Sequence, residues 1–154
     1  MTILKKISRL SGVAACVLLS GVVMAQSRFS YSADGAEVTD SRTGLVWQRC
    51  SAGQAWSGGT CTGTASPFTH EAALAYTQSQ VGWRLPNVKE LSSIISTQSK
   101  PTIDGTAFPA TVADWYWSSS PNMGGAERAW VVYFGNGLVR DYARNNVSRV
   151  RLVR

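Results

Sequence analysis

The stretch Trp83-Arg84-Leu85-Pro86-Asn87-Val88-Lys89-Glu90-Leu91 decides the reading of this chain, because a strand end, a helix cap and a helix start fall within nine residues. Asn87 is placed to accept a backbone N–H as N-cap, and Glu90, three residues on, to return the bond. Leu91, Ile94 and Ile95 then recur at helical spacing, which predicts a short amphipathic helix over residues 88–96.

On the N-terminal side, Thr69 is a cap for a second helix carrying Ala72, Ala73, Leu74, Tyr76 and Thr77, with Glu71 in the first turn where the dipole favours it, and an end near Gly82. Before it, Phe29-Ser30-Tyr31 and Glu37-Val38-Thr39-Asp40 read as short strands. The turn cluster Asp40-Ser41-Arg42-Thr43-Gly44 then feeds a strand at Leu45-Val46-Trp47. From Cys50 to Pro67 the composition turns to Gly, Ser and Thr, and reads as a loop containing Trp56.

On the C-terminal side, Lys100 to Pro109 is an irregular loop anchored by Ile103 and Phe108, and Trp115 to Ser120 is aromatic and β-prone until Pro121 to Gly125 breaks it. Trp130 to Phe134, Gly135-Asn136-Gly137 and Leu138 to Tyr142 give the strongest hairpin signal. A last strand, Val147 to Arg154, sets Val150 and Leu152 on one face against Arg149, Arg151 and Val153 on the other.

Lys5, Lys6 and Arg9 precede an apolar run from Leu10 to Val23 that ends in Val23-Met24-Ala25, which reads as a signal peptide cleaved after Ala25. The run is short for a transmembrane helix, which needs roughly 20 apolar residues. A rival reading takes Val13-Ala14-Ala15-Cys16 as a lipobox, which would leave Cys16 acylated and give the chain its one route to a membrane. Of the 154 residues, 129 then remain as a single domain, and the formal charge falls from +6 to +3. Cys50 and Cys61, the remaining cysteines, most simply form one disulfide in an exported chain, with two free thiols as the alternative.

These pieces, in this order, resemble the Lcl C-terminal domain family, named for a bacterial collagen-like adhesin. The resemblance is carried by Asp40-x-x-Thr43-Gly44-Leu45-x-Trp47-Gln48-Arg49, the Cys50/Cys61 loop, Trp83-Arg84-Leu85-Pro86-x-x-x-Glu90-Leu91, Tyr116-Trp117-Ser118-Ser119 and Val150-Arg151-Leu152-Val153-Arg154. More distantly, the Arg-Leu-Pro helix start and the terminal strand are similar to the formylglycine-generating enzyme superfamily, which has a C-type lectin-like fold. The resemblance implies an α+β, C-type lectin-like domain: two short helices against a twisted, mainly antiparallel sheet, long irregular loops and one disulfide. It also implies surface recognition or adhesion.

It implies no enzyme activity, since the formylglycine-generating enzymes rely on reactive cysteines late in the chain and none follows Cys61 here. Calcium-lectin triplets are absent, Asp104 and Asp114 are too sparse for a calcium site, and two cysteines with the lone His70 fall short of a zinc set. No cofactor or metal is expected. His70 reads as an exposed first-turn helix residue, without a nucleophile to activate. Asn146-Val147-Ser148 matches a glycosylation triplet that recurs by chance and here falls in a strand-like segment. The modest charge and the export signal argue against nucleic acid.

Candidate ligand-binding residues come from two groups. Arg140, Arg144, Arg149, Arg151 and Arg154 stand against only Asp141, and guanidinium forks suit sulfate, phosphate and carboxylate. Internal pairing with Glu90, Asp104, Asp114 or Glu127 is the competing role, above all for Arg84 and Arg151 within the architectural motifs. Among six tryptophans, Trp47, Trp83, Trp117 and Trp130 belong to strand-like segments and are expected inside, which leaves Trp56 and Trp115 for ligand contact. The expected function is an exported, non-enzymatic recognition or adhesion module for an anionic polysaccharide, with Arg140, Arg144, Arg149, Trp56 and Trp115 as contacts. The alternative is a structural or accessory subunit that docks a surface protein through its aromatics.

Overall fold

The structure, a computed structural model, describes residues 27–154, so the expected leader and the Cys16 alternative lie outside the described residues. The described chain is α+β, with two helices and eight strands in three antiparallel sheets. Strands β1 (Phe29–Tyr31), β2 (Glu37–Asp40) and β3 (Val46–Gln48) form a meander. Its second turn closes on the Asp40 carbonyl, which accepts the N–H groups of Thr43 and Gly44, the latter at a φ of +73° that favours glycine. The Asp40 carboxylate, fully buried, takes Arg28 Nε at 2.9 Å, Arg28 Nη2 at 2.6 Å and the Arg42 N–H at 3.0 Å. Burial pushes its pKa up, and these bonds outweigh burial and hold it below the ordinary carboxylate value.

The Cys50 to Pro67 segment is more ordered than its composition suggests. Strands β4 (Ala55–Ser57) and β5 (Thr60–Thr62) pair across Gly58-Gly59, and the Cys50–Cys61 disulfide ties this hairpin to the end of β3. Helix α1 (His70–Gln78) begins at the expected Thr69 cap but ends short of Gly82, with Ser79 as its C-cap. Helix α2 (Val88–Ser93) has the expected capping box, Asn87 Oδ1 accepting from Glu90 N–H and Glu90 Oε2 from Asn87 N–H. It is shorter than the apolar spacing implies, because Ile95 leaves the helix to bridge Ile103 in the following loop. Strands β6 (Trp115–Pro121), β7 (Arg128–Tyr133) and β8 (Leu138–Ala143) complete the architecture as a second meander.

The β6–β7–β8 sheet is the middle of the molecule, because each of its faces supports a separate core. On one face Tyr116, Val132 and Phe134 pack with Trp47, Leu91, Ile94, Ile103 and Phe108. On the other, Trp117, Ala129 and Val131 pack with Ala73, Leu85, Val150 and Leu152.

The expected last strand is instead a strap. Its backbone bonds divide between β3, Arg84 and β6: Gln48 N–H to Leu152 O, Arg84 N–H to Val153 O, Trp117 N–H to Arg149 O. No single neighbour runs beside it long enough for a ladder, so only isolated bridges form. The predicted alternation holds, with Val150 and Leu152 in one core and Val153 in the other, but both faces are covered. Arg151, fully buried, donates to Gln48 O, Arg49 O, Ser51 Oγ and Thr111 Oγ1 and lies 4.9 Å from the Phe108 ring centroid. With no carboxylate among these partners, burial pulls its pKa below the ordinary arginine value.

Two expectations about side chains are corrected. His70 is buried, not exposed, since the first turn of α1 faces β6: its Nε2 lies 3.0 Å from Ser118 O and its ring meets Trp117 edge-on. Trp47 and Trp117 are fully buried as expected, but Trp83 and Trp130 are only half-buried. Trp83 lies at the rim with the Arg154 guanidinium 4.6 Å above it, and Trp130 alternates out of the β7 core row.

Candidate functional site

Register builds the most prominent surface feature. Trp115 pairs with Tyr133, Trp117 with Val131, Val131 with Arg140, and Ala129 with Tyr142, so all of these side chains emerge on one face. Helix α1 covers part of that face. Beyond it, Trp115 lies 4.8 Å from Tyr133 and 5.8 Å from Tyr142, the latter pair stacked within 24° of parallel. The Arg140 guanidinium is 5.0 Å from the Trp115 centroid and 5.3 Å from that of Tyr142. Arg140 is exposed and takes part in none of the ion pairs among the described residues. Its sequence neighbour Asp141 points to the opposite face, where Arg128 and Asn122 hold it and keep its pKa below the ordinary value.

Arg149 serves this platform from behind. Its Nε donates to Asp114 Oδ2 at 2.9 Å, its Nη1 donates to Ala65 O, and its backbone N–H donates to Trp115 O at 2.8 Å. Asp114 in turn accepts the Trp115 N–H at 2.8 Å. The pair thus fixes the backbone of Trp115 and neutralises the Asp114 carboxylate beside it, which leaves Arg140 as the platform's unpaired charge. This is the internal pairing that stood as the competing role for Arg149.

The other two expected residues lie elsewhere. Arg144 lines a cleft of about 660 Å³ together with His70, Glu71 and Glu127. Its Nε bonds Arg128 O at 3.4 Å and its own carbonyl accepts the His70 N–H, so it joins β8 to α1 beside charges of both signs. Trp56 belongs to β4, where the Arg49 guanidinium lies 4.0 Å over its ring and 4.4 Å over that of Tyr31. Arg49 also donates to Ala107 O, Gly35 O and Thr106 O, which makes this stack a tie between the hairpin and the loops.

Tyr133 and Tyr142 complete the platform and were not singled out by sequence reasoning. The period-two alternation of Trp130 to Phe134 and Leu138 to Tyr142 held the signal, but the register of β6 against β7 was needed to bring them beside Trp115. Among the described residues no group of three or more His, Cys, Asp or Glu side chains is arranged to hold a metal ion. No described helix is long and apolar enough to cross a membrane.

The architecture and this surface define a disulfide-tied α+β module with an aromatic and cationic face. The chain belongs to the Lcl C-terminal domain family, whose sequence profile matches residues 36–154. That membership suggests a cell-surface module of the adhesin-like kind. No curated protein matches the chain.

Proposed function

We propose that this protein is an exported, non-catalytic recognition module that binds an anionic polysaccharide through Arg140, Trp115, Tyr133 and Tyr142, within a C-type lectin-like fold. The observation that carries the reading is the exposed Arg140 guanidinium, free of ion pairs among the described residues, beside stacked aromatic rings. Sugar rings lie well against aromatic faces, and a guanidinium adds a bidentate bond to a sulfate or carboxylate. The disulfide supports an address outside the cytoplasm.

The test is capture of the protein by sulfated, carboxylated and neutral polysaccharides across a salt series. Acidic members should bind with an affinity that falls as salt rises, and Arg140→Ala should weaken them about tenfold, the scale of one charge-assisted bond. Binding indifferent to both salt and Arg140→Ala would overturn the reading. Silence across the panel, with a co-purifying protein in its place, would transfer the aromatics to the accessory-subunit alternative.

A further inference from the structure

A second surface, away from the platform, has different chemistry. A groove of about 280 Å³ lies where β3, the β4–β5 hairpin, the end of α1 and the segment before Arg84 converge. Three aromatic side chains, Trp56, Tyr76 and Trp83, and three primary amides, Gln48, Gln54 and Gln80, line it. The one charged side chain that lines it, Glu37, is paired with Arg154 at 2.6 Å.

We propose that this groove binds one ring of a neutral sugar. Its volume is below what buries a drug-sized ligand and on the scale of a single pyranose. Sugar hydroxyls donate and accept at once, and primary amides offer both functions from a fixed plane without carrying charge. Apolar C–H faces of the same ring match the aromatic walls.

The groove is also prepared for this. Gln54 is held by Ser51 N–H and Ala110 O, so its amide is fixed in place. Arg49 covers Trp56 and Arg154 covers Trp83, at 4.0 and 4.6 Å, which immobilises both indoles while their remaining surface lines the groove. Gly35 packs against the Trp56 ring so closely that a Cβ there would come within 3.1 Å. Among the described residues the side chains of Gln48 and Tyr76 and the indole N–H groups of Trp56 and Trp83 have no hydrogen-bond partner, so donors and acceptors remain for a ligand. Glu37 is paired and the Arg49 guanidinium lies behind the Trp56 ring, bonded to three carbonyls, so no unpaired charged side chain lines the groove, which sets it apart from the Arg140 surface.

The experiment titrates neutral tetrasaccharides of glucose, of galactose and of mannose into the protein while following the indole N–H resonances of all six tryptophans. At least one probe should shift Trp56 and Trp83 and leave Trp115 unmoved, to the same extent at low and high salt. Gln48→Ala and Tyr76→Phe, which remove polar groups without breaking a hydrogen bond within the described protein, should each weaken that response about three- to tenfold. Shifts confined to Trp115, no shift with any probe, or binding unaltered by both substitutions would overturn the proposal. Salt-independence and the identity of the responding indoles keep this result separate from that of the Arg140 surface.

Discussion

His70 is the residue where burial and titration meet. Its Nε2 must carry the proton, since Ser118 O can only accept, and that leaves Nδ1 without a partner among the described residues. Burial holds its pKa below the ordinary histidine value, the Ser118 bond works against that shift, and the positive Arg144 adds to it. The native state therefore binds fewer protons than the unfolded chain below about pH 6.5, so stability falls as pH drops through about 6.5 toward the native pKa. The carboxylates with lowered pKa, among them the buried Asp40 and the part-buried Glu90, lose their contribution only below about pH 4.5, so the two windows are distinct. Urea midpoints measured between about pH 7.5 and 5 should decline for the natural protein and stay nearly level for His70→Gln; equal slopes would remove His70 from the account. The sequence did not show this burial because α1 is rich in small alanines. Such a helix has no large apolar stripe to say which side meets the sheet, and His70 with Ala73, three residues on, turned out to be that side.

At the scale of elements, legibility followed from whether a segment carries its own partners. The start of helix α2 was readable to the residue because Asn87 and Glu90 each supply the bond the other needs, whereas its end, set by the Ile95–Ile103 bridge, was not. Hairpin β4–β5 was not, because Ala55-Trp56-Ser57 and Thr60-Cys61-Thr62 bury little beyond Cys61 and only the Gly58-Gly59 turn announced them. The hairpin stands instead on the disulfide and on Arg49 beneath Trp56. Cross-linking a loop of this length stabilises by about 2.5–3 kcal/mol on the chain-entropy account. Reduction should therefore lower the thermal midpoint while far-UV circular dichroism at room temperature keeps its shape. An unchanged midpoint would assign the hairpin's stability to the Arg49 stack alone. The candidate site was half legible for a related reason: Trp115 and Arg140 stand out as residue types, but Arg149 could be placed behind them only by the pairing of the strap with β6.

Across the whole molecule, the strap from Arg149 to Arg154 ties the two meanders together where their direct packing leaves off. It lends Val150 and Leu152 to one core and Val153 to the other, and it fills the space between with Arg151. The consequence is one of timing. Synthesis runs from the N-terminus, so a growing chain that has reached only Arg149 already contains both helices and all eight strands of the described region, yet each core still lacks its strap side chains, Val153 in one and Val150 and Leu152 in the other. Ribosome-bound chains of increasing length should stay open to protease until residues 150–153 have emerged and then become resistant in one step; early protection of the β1–β3 meander would show that it folds unaided. A domain completed by its last few residues remains threadable until translation has passed them.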